Sequence, residues 1–451
     1  MENEIFEKTP VHKAFFSLAL PVVMGMVVSL LYNMVDTFFI ARTGNTNLVA
    51  GISLCSPVFT CLIALGDILG LGGSSVISRL FGQKRDEEGK RISVFCFYGS
   101  LLGGCVVAAL LLVFRSPLLN LLGADTDTLV YASAYYTFIA LGAPFIILTF
   151  TPNNQLRTEG LAKCSMVGSI LGTVVNIVLD PICIFGLGLG AAGAAIATVV
   201  GNLCTDIYYV WVLTHKSKKL SINPRGLYIT AEEIRQILVI GIPASVTNFM
   251  ASLCTALTNR KLLPYGNDRV AAMGIAMKVN MIVLLVLVGF AFGAQPLIGY
   301  NYGAKNHRRL KEILTFCYQF ECALAAVLVV ILAAVARPLL GLFTTNQELI
   351  RLGVPMLRWQ LAGMIFVAVV LVSTSTFQSA GKAMGAFWLS FGRQGLFFAV
   401  ILWTLSAAIG YNGILAAQAV SDLLTAILAV WLFKRNIASE WKHEALNYGS
   451  E

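Results

Sequence analysis

The sequence predicts an all-α polytopic membrane protein of twelve transmembrane helices, arranged as two six-helix lobes related by a pseudo-two-fold axis along the membrane normal. Three observations lead there. Apolar residues make up 57% of the 451-residue chain against 12% charged, with a mean hydropathy of +0.78, a surface for which lipid rather than water is the fitting solvent. Apolar stretches of the roughly 20 residues that cross a bilayer follow one another almost end to end. The second half of the chain also repeats the punctuation of the first.

The first stretch, 14–41, follows the start MENEIFEKTPVHK. It is too long for a signal-peptide core and lacks a small-residue cleavage site, so it is read as a span. Stretches 48–80, 92–114, 130–151, 163–184 and 190–214 complete the first lobe, residues 1–214. Residues 215–235 form a basic cytoplasmic linker without a domain of its own. Stretches 236–260, 274–300, 314–335, 353–376, 384–409 and 413–434 make the second lobe, 236–451, which ends in a short cytoplasmic tail.

The repeat has an offset of 220–222 residues. Pro21 meets Pro243, Gly44-Asn45 meets Gly266-Asn267, Gly72 meets Gly293, Lys84 meets Lys305, Gly160 meets Gly381 and Gly193 meets Gly413. An even number of spans per copy makes the repeats parallel, an arrangement that suits alternating access. It also puts both termini on one side. The termini and even-to-odd loops hold 22 of the 32 lysines and arginines and the opposite loops hold 8, so that side is cytoplasmic. The net charge of +9 is thereby a topology signal, and no nucleic-acid partner is expected.

Polar residues inside apolar spans are costly, about 2.5–3.5 kcal/mol for a charge at the bilayer centre, and each asks for a reason. Asn33 and Asp36 lie three apart in the first span, Asn176 and Asp180 four apart in the fifth, and Thr198, Asn202 and Asp206 share the sixth. Counting helical rise from the outer ends puts Asp36, Asn176, Asp180 and Thr198 at one level of the outer half. Two carboxylates with amide and hydroxyl oxygens suit a proton or Na⁺, and these four form the candidate coupling-ion site. Asn33, Asn202 and Asp206 are accessory polar candidates. In the second lobe Asp36 falls on Thr258, and the embedded charges are Lys278, Glu321, Arg393 and Asp422. Lys278 and Asp422 lie at similar depth and are expected to form a structural ion pair.

Several chemistries are excluded. Gly188, Gly190 and Gly193 spell G-x-G-x-x-G, but in a turn between two spans with no strand before it, which indicates close helix packing rather than dinucleotide binding. A phosphate-binding G-x-x-x-x-G-K-[ST] loop is absent, so an ion gradient must supply the energy. The ten cysteines show no C-x-x-C pair, and His12, His215, His307 and His443 fall in loops or tails, so no metal beyond Na⁺, no cofactor and no enzymatic nucleophile–base pair is expected.

At these residues the chain resembles the multidrug and toxic compound extrusion (MATE) family of cation-coupled antiporters, and within it the bacterial MepA-type branch. The resemblance spans essentially the whole chain. It rests on LALPVVMGMVVSLLYNMVDTFFI, on GGSSVISRLFGQKR with its repeat GAQPLIGYNYGAKNHRRLK, on NIVLDPICIFGLGLGAAGAAIAT, and on STSTFQSAGKAMGA and GILAAQAVSDLL. It implies a monomeric cell-membrane exporter of cationic amphipathic small molecules in exchange for H⁺ or Na⁺. It also implies that Asp36, Asn176, Asp180 and Thr198 hold the cation. The acidic residues that another branch carries on helices 7 and 10 are missing from the middle of those spans here. The alternative is a lipid-linked precursor flippase of the same superfamily, against which stand the few embedded cations.

Overall fold

The structure is a computed structural model and describes residues 4–226 and 228–439. His443 and the tail beyond 439 lie outside the described residues. Among the described residues, twelve helices are long and apolar enough to cross a bilayer: α1 (Val11–Arg42), α2 (Thr46–Gly82), α3 (Asp86–Val113), α4 (Leu129–Thr158), α5 (Ala162–Gly186), α6 (Gly190–His215), α7 (Ala231–Tyr265), α8 (Asn267–Gly303), α9 (His307–Ala334), α10 (Gln347–Ser379), α11 (Ala383–Ile409) and α12 (Tyr411–Ile437). Each coincides with an expected span, and the described residues contain no strand. The all-α polytopic reading holds.

The edges differ for a physical reason. Hydropathy ends the fourth span at 151, where the polar run begins, yet α4 continues to Thr158 because Asn154, Gln155, Arg157 and Thr158 are buried inside the bundle rather than solvated. His12, His215 and His307 lie at helix ends rather than in loops.

Local sequence sets the helix ends. Asn45 accepts hydrogen bonds from the amides of Asn47 and Leu48 at the start of α2, and Asn346 does so from Glu348 and Leu349 at α10. Before α7, the Thr230 amide donates to Glu233 Oε2 at 2.7 Å while the Glu233 amide donates to Thr230 Oγ1 at 3.3 Å, a reciprocal cap. Lys84 and Lys305 have φ of 62° and 54°, and among the described residues they are the non-glycines in the left-handed region. They are repeat partners, so the two copies share even this strained turn.

The helices pack into two compact units. One is Met24–Ser245 with Glu4 and Ile5; the other is Phe6–Val23 together with the described residues from Val246 on. Within the first, α4 packs against α2, α3 and α6, and α6 against α5. Within the second, α10 packs against α8, α9 and α12, and α12 against α11, the same pattern one repeat later. Each unit borrows the opening turns of a helix. Phe15 of α1 packs on Phe290, Phe316 and Phe320, and Ala19 lies where a Cβ on Gly293 would stand, all in the second unit. In the first unit, Gly72 and Gly241 let α2 and α7 approach so closely that an added Cβ would strike the carbonyls of Ile237 and Ile68.

Candidate ion-binding site

The site is built where α5 and α6 come closest. A Cβ on Gly201 would stand 2.7 Å from the Gly172 carbonyl oxygen, and one on Gly193 would stand 2.7 Å from that of Cys183. Small residues at these crossings bring the backbones together, and the approach places Asn176 of α5 beside Thr198 of α6. Asp180 follows one turn after Asn176. It precedes Pro181 and a wide π-helical turn, Ile182–Gly186, that ends the span. Asp180 is fully buried, and Asn176 and Thr198 are buried as well.

The Asn176 amide is satisfied when its nitrogen donates to Asp180 Oδ2 at 2.9 Å and its oxygen accepts from the Thr198 amide at 3.0 Å and the Tyr32 hydroxyl at 3.3 Å. Asp36, on the half of α1 that belongs to this unit, stands within hydrogen-bonding reach of Asp180. Its Oδ1 is buried and has no partner among the described residues. Asp36, Asn176, Asp180 and Thr198 are thus brought together, joined by Tyr32. Two neighbouring carboxyl groups in a water-poor interior cannot both carry an uncompensated charge. The arrangement is chemically able to hold one proton between two carboxyl oxygens, or a monovalent cation at the same place.

The accessory residues stay apart from this cluster. Asn33 is exposed, and its amide donates to the Ser29 carbonyl of its own helix at 2.8 Å. Asn202 likewise donates to the Thr198 carbonyl at 2.9 Å. Asp206 sits deeper, where its Oδ1 accepts from the Thr149 hydroxyl of α4 at 2.7 Å.

Tyr32 is a member of the cluster beyond the four expected residues. It lies one turn before Asp36, on the same face, where an i, i+4 spacing would have found it; Asn33, at i+3, points away. Tyr135 of α4 lies near Tyr32, Asp36 and Asp180 and belongs to the surroundings of the site.

The second unit holds a different arrangement. The expected pair of Lys278 and Asp422 is corrected here: Asp422 pairs with Arg393, whose Nε lies 3.0 Å from Asp422 Oδ1, and Gln418 donates to the same oxygen at 3.0 Å. Lys278 is exposed and joins no ion pair among the described residues. Similar depth had suggested the pairing, but Arg393 lies in a π-helical turn, Gly392–Leu396, and such a turn shifts the facing of the helix by one inserted residue. Thr255 and Thr258, which replace Asn33 and Asp36 in the repeat, bond to carbonyls of their own helix.

Comparison with known proteins agrees with this architecture. The family profile described as MatE matches twice, over residues 21–182 and 243–404, once in each copy. The multidrug export protein MepA of Staphylococcus aureus (strain N315) is 30% identical over 425 residues, covering 94% of each chain. The MepA protein of Staphylococcus haemolyticus is 29% identical over 427 residues, covering 95% of this chain and 94% of its own. Among solved structures, a MATE protein in the straight conformation superposes with a TM-score of 0.93 at 24% identity, over 98% of this chain and 99% of that one. The outward-facing structure of a multidrug resistance MATE family transporter of the MOP superfamily gives 0.91 at 24% identity, over 97% and 98%.

Proposed function

Since the chain belongs to the MATE family and is a multi-pass protein of the cell membrane, we propose that it exports cationic amphipathic small molecules by alternating access in exchange for protons bound at Asp36 and Asp180. The relatives' name, multidrug export protein, supports the substrate class. The observation that carries the ion assignment is the closeness of the Asp36 and Asp180 carboxyl groups in a buried site. A proton fits between two neighbouring carboxyls. Loading and unloading the pair changes the charge of a buried site by one unit, which is enough to favour one conformation of the carrier over another. The excess of basic residues on one set of loops supports cytoplasmic termini. A monomer suffices, because the site lies within one unit. No observation of comparable weight favours the flippase reading, since the embedded Arg393 is neutralised by Asp422.

The test uses full-length protein in liposomes, with uptake of a permanently charged dye driven by a pH gradient or a Na⁺ gradient imposed separately. Asp36→Asn and Asp180→Asn are each expected to reduce pH-driven transport by about tenfold or more. Transport driven by Na⁺ alone would assign the pair to Na⁺; unimpaired transport in both variants would remove the site from the mechanism.

A further inference from the structure

Below the Asp36–Asp180 pair, the first unit buries a further carboxyl that the proposed exchange leaves unused. Asp206 of α6 lies eight residues beyond Thr198, about 12 Å along the helix, and is 4% exposed. Its Oδ2 is buried with no partner among the described residues. Its Oδ1 faces Thr149 Oγ1 at 2.7 Å, and that hydroxyl also stands 2.9 Å from the Phe145 carbonyl of its own helix. Thr149 has one hydrogen. When Asp206 is ionised, Thr149 gives that hydrogen to the carboxylate. When Asp206 is protonated, the acid donates to Thr149, which returns its own hydrogen to Phe145. The contact between Thr149 and Oδ1 therefore serves both protonation states without moving a backbone atom.

From this level a row of polar side chains leads to the turn between α4 and α5. Tyr209, one turn after Asp206, donates to the Ser165 carbonyl at 2.8 Å, and its oxygen lies 3.1 Å from Ser169 Oγ. Asn153 Nδ2 donates to Ser169 Oγ at 3.2 Å, and Arg157 Nη2 donates to Asn153 Oδ1 at 3.1 Å. The charged and titratable groups around Asp206 are Tyr209 on its own helix and, through Asn153, Arg157 on α4, which has Asp67 of α2 beside it; α5 brings the hydroxyls of Ser165 and Ser169. No ion pair neutralises Asp206 among the described residues.

We propose that Asp206 is a second proton-carrying carboxyl of this unit, an inner station that takes up the proton released by the Asp36–Asp180 pair and passes it toward the α4–α5 turn. The inference rests on the proton reading of that pair. The proton leaves a carboxylic acid of the pair as H⁺, binds a carboxylate oxygen of Asp206, and departs as H⁺ with no change of oxidation state.

The full-length protein in liposomes is assayed with a permanently charged dye in two modes, uptake driven by a pH gradient and dye-for-dye exchange without one. Asp206→Asn keeps a hydrogen-bonding partner for Thr149, so a structural Asp206 would tolerate it. The expected result is a fall of about tenfold or more in gradient-driven uptake with exchange kept within about twofold, and recovery in Asp206→Glu. If both modes stay near the parent level in Asp206→Asn, the proposal is overturned. If both are lost, infrared pH titration of the parent decides: a titrating carboxylic acid band missing from Asp206→Asn but kept in Asp36→Asn and Asp180→Asn supports the station, and no such band overturns it. Normal gradient-driven transport in Asp36→Asn and Asp180→Asn, alongside a defective Asp206→Asn, defeats the reading of the pair and leaves Asp206 as the coupling carboxyl.

Discussion

Glu321 in α9 is wholly buried, and neither of its carboxyl oxygens has a partner among the described residues. A polar group buried without hydrogen bonds is a standing cost, so replacing it with an apolar side chain of similar reach is expected to relieve strain. Glu321→Leu should leave the Tm of the detergent-solubilised protein unchanged or raise it by the equivalent of about 1 kcal/mol. A fall in Tm with loss of transport would instead mark Glu321 as a working carboxyl of the second unit. At this scale the sequence was readable in one dimension. Distance along a helix follows from residue number, so the common depth of Asp36, Asn176, Asp180 and Thr198 could be counted, and the structure gathers all four. Rotation about the axis was not readable in the same way. Neither the facing of Tyr32 beside Asn33 nor the pairing of Asp422 with Arg393 rather than Lys278 follows from residue number, because facing depends on neighbouring helices and on turns such as Gly392–Leu396 that residue counting does not reveal.

Helix pairs carry the site, and the α5–α6 pair shows how little room it has. A Cβ at Gly172 would collide with Thr205 Oγ1 and stand 2.8 Å from the Gly201 carbonyl. Backbone cannot yield as a flexible side chain does, so Gly172→Ala must push the two helices apart near Asn176 and Thr198. We expect it to cost about 1–3 kcal/mol, seen as a lower Tm, together with weaker pH-driven transport. Gly103, whose added Cβ meets nothing within 4 Å, is the control, and Gly103→Ala should be silent. Equal behaviour of the two variants would show that the crossing is looser than drawn. Most of this level was legible: twelve apolar stretches gave twelve spans. What hydropathy missed were breaks within spans. The second span bends at Cys55 and the eighth at Ala294, each followed within two residues by Pro57 or Pro296, which cannot donate to the preceding turn. The prolines were visible, but whether a proline kinks, breaks or merely sits in a helix is decided by packing. Pro21 and Pro243 lie inside unbroken helices.

Across the whole chain, the halves of the repeat and the compact units do not coincide. Residues 6–23 pack in the unit otherwise made of the second copy, where the Arg309 guanidinium donates to the carbonyls of Phe6 and Thr9 at 2.7 and 2.6 Å and Tyr300 donates to Glu7 at 2.6 Å. Conversely, the start of α7 packs in the first unit, and the linker before it is fastened there: Glu159 accepts from the Lys218 amide at 2.6 Å, Lys219 lies 3.0 Å from Asp86, and Tyr98 donates to the Ile222 carbonyl at 2.9 Å. Each copy therefore lends an opening segment, Phe6–Val23 or the stretch from Ala231 to Ser245, to the other's core. Hydropathy and the repeat locate the copies but cannot see this exchange, because both ways of packing bury the same side chains. The consequence is measurable by cutting the chain within 223–230. Either half expressed alone lacks a segment that fills tight glycine contacts at Gly72 or at Gly289 and Gly293, and should aggregate or be degraded. Both halves expressed together should copurify and regain gradient-driven transport, since every segment is again present and only one peptide bond of the linker is missing. A first half that is monodisperse and thermally stable by itself would show that the lent segments contribute little, and that the core of each unit is sufficient without exchange.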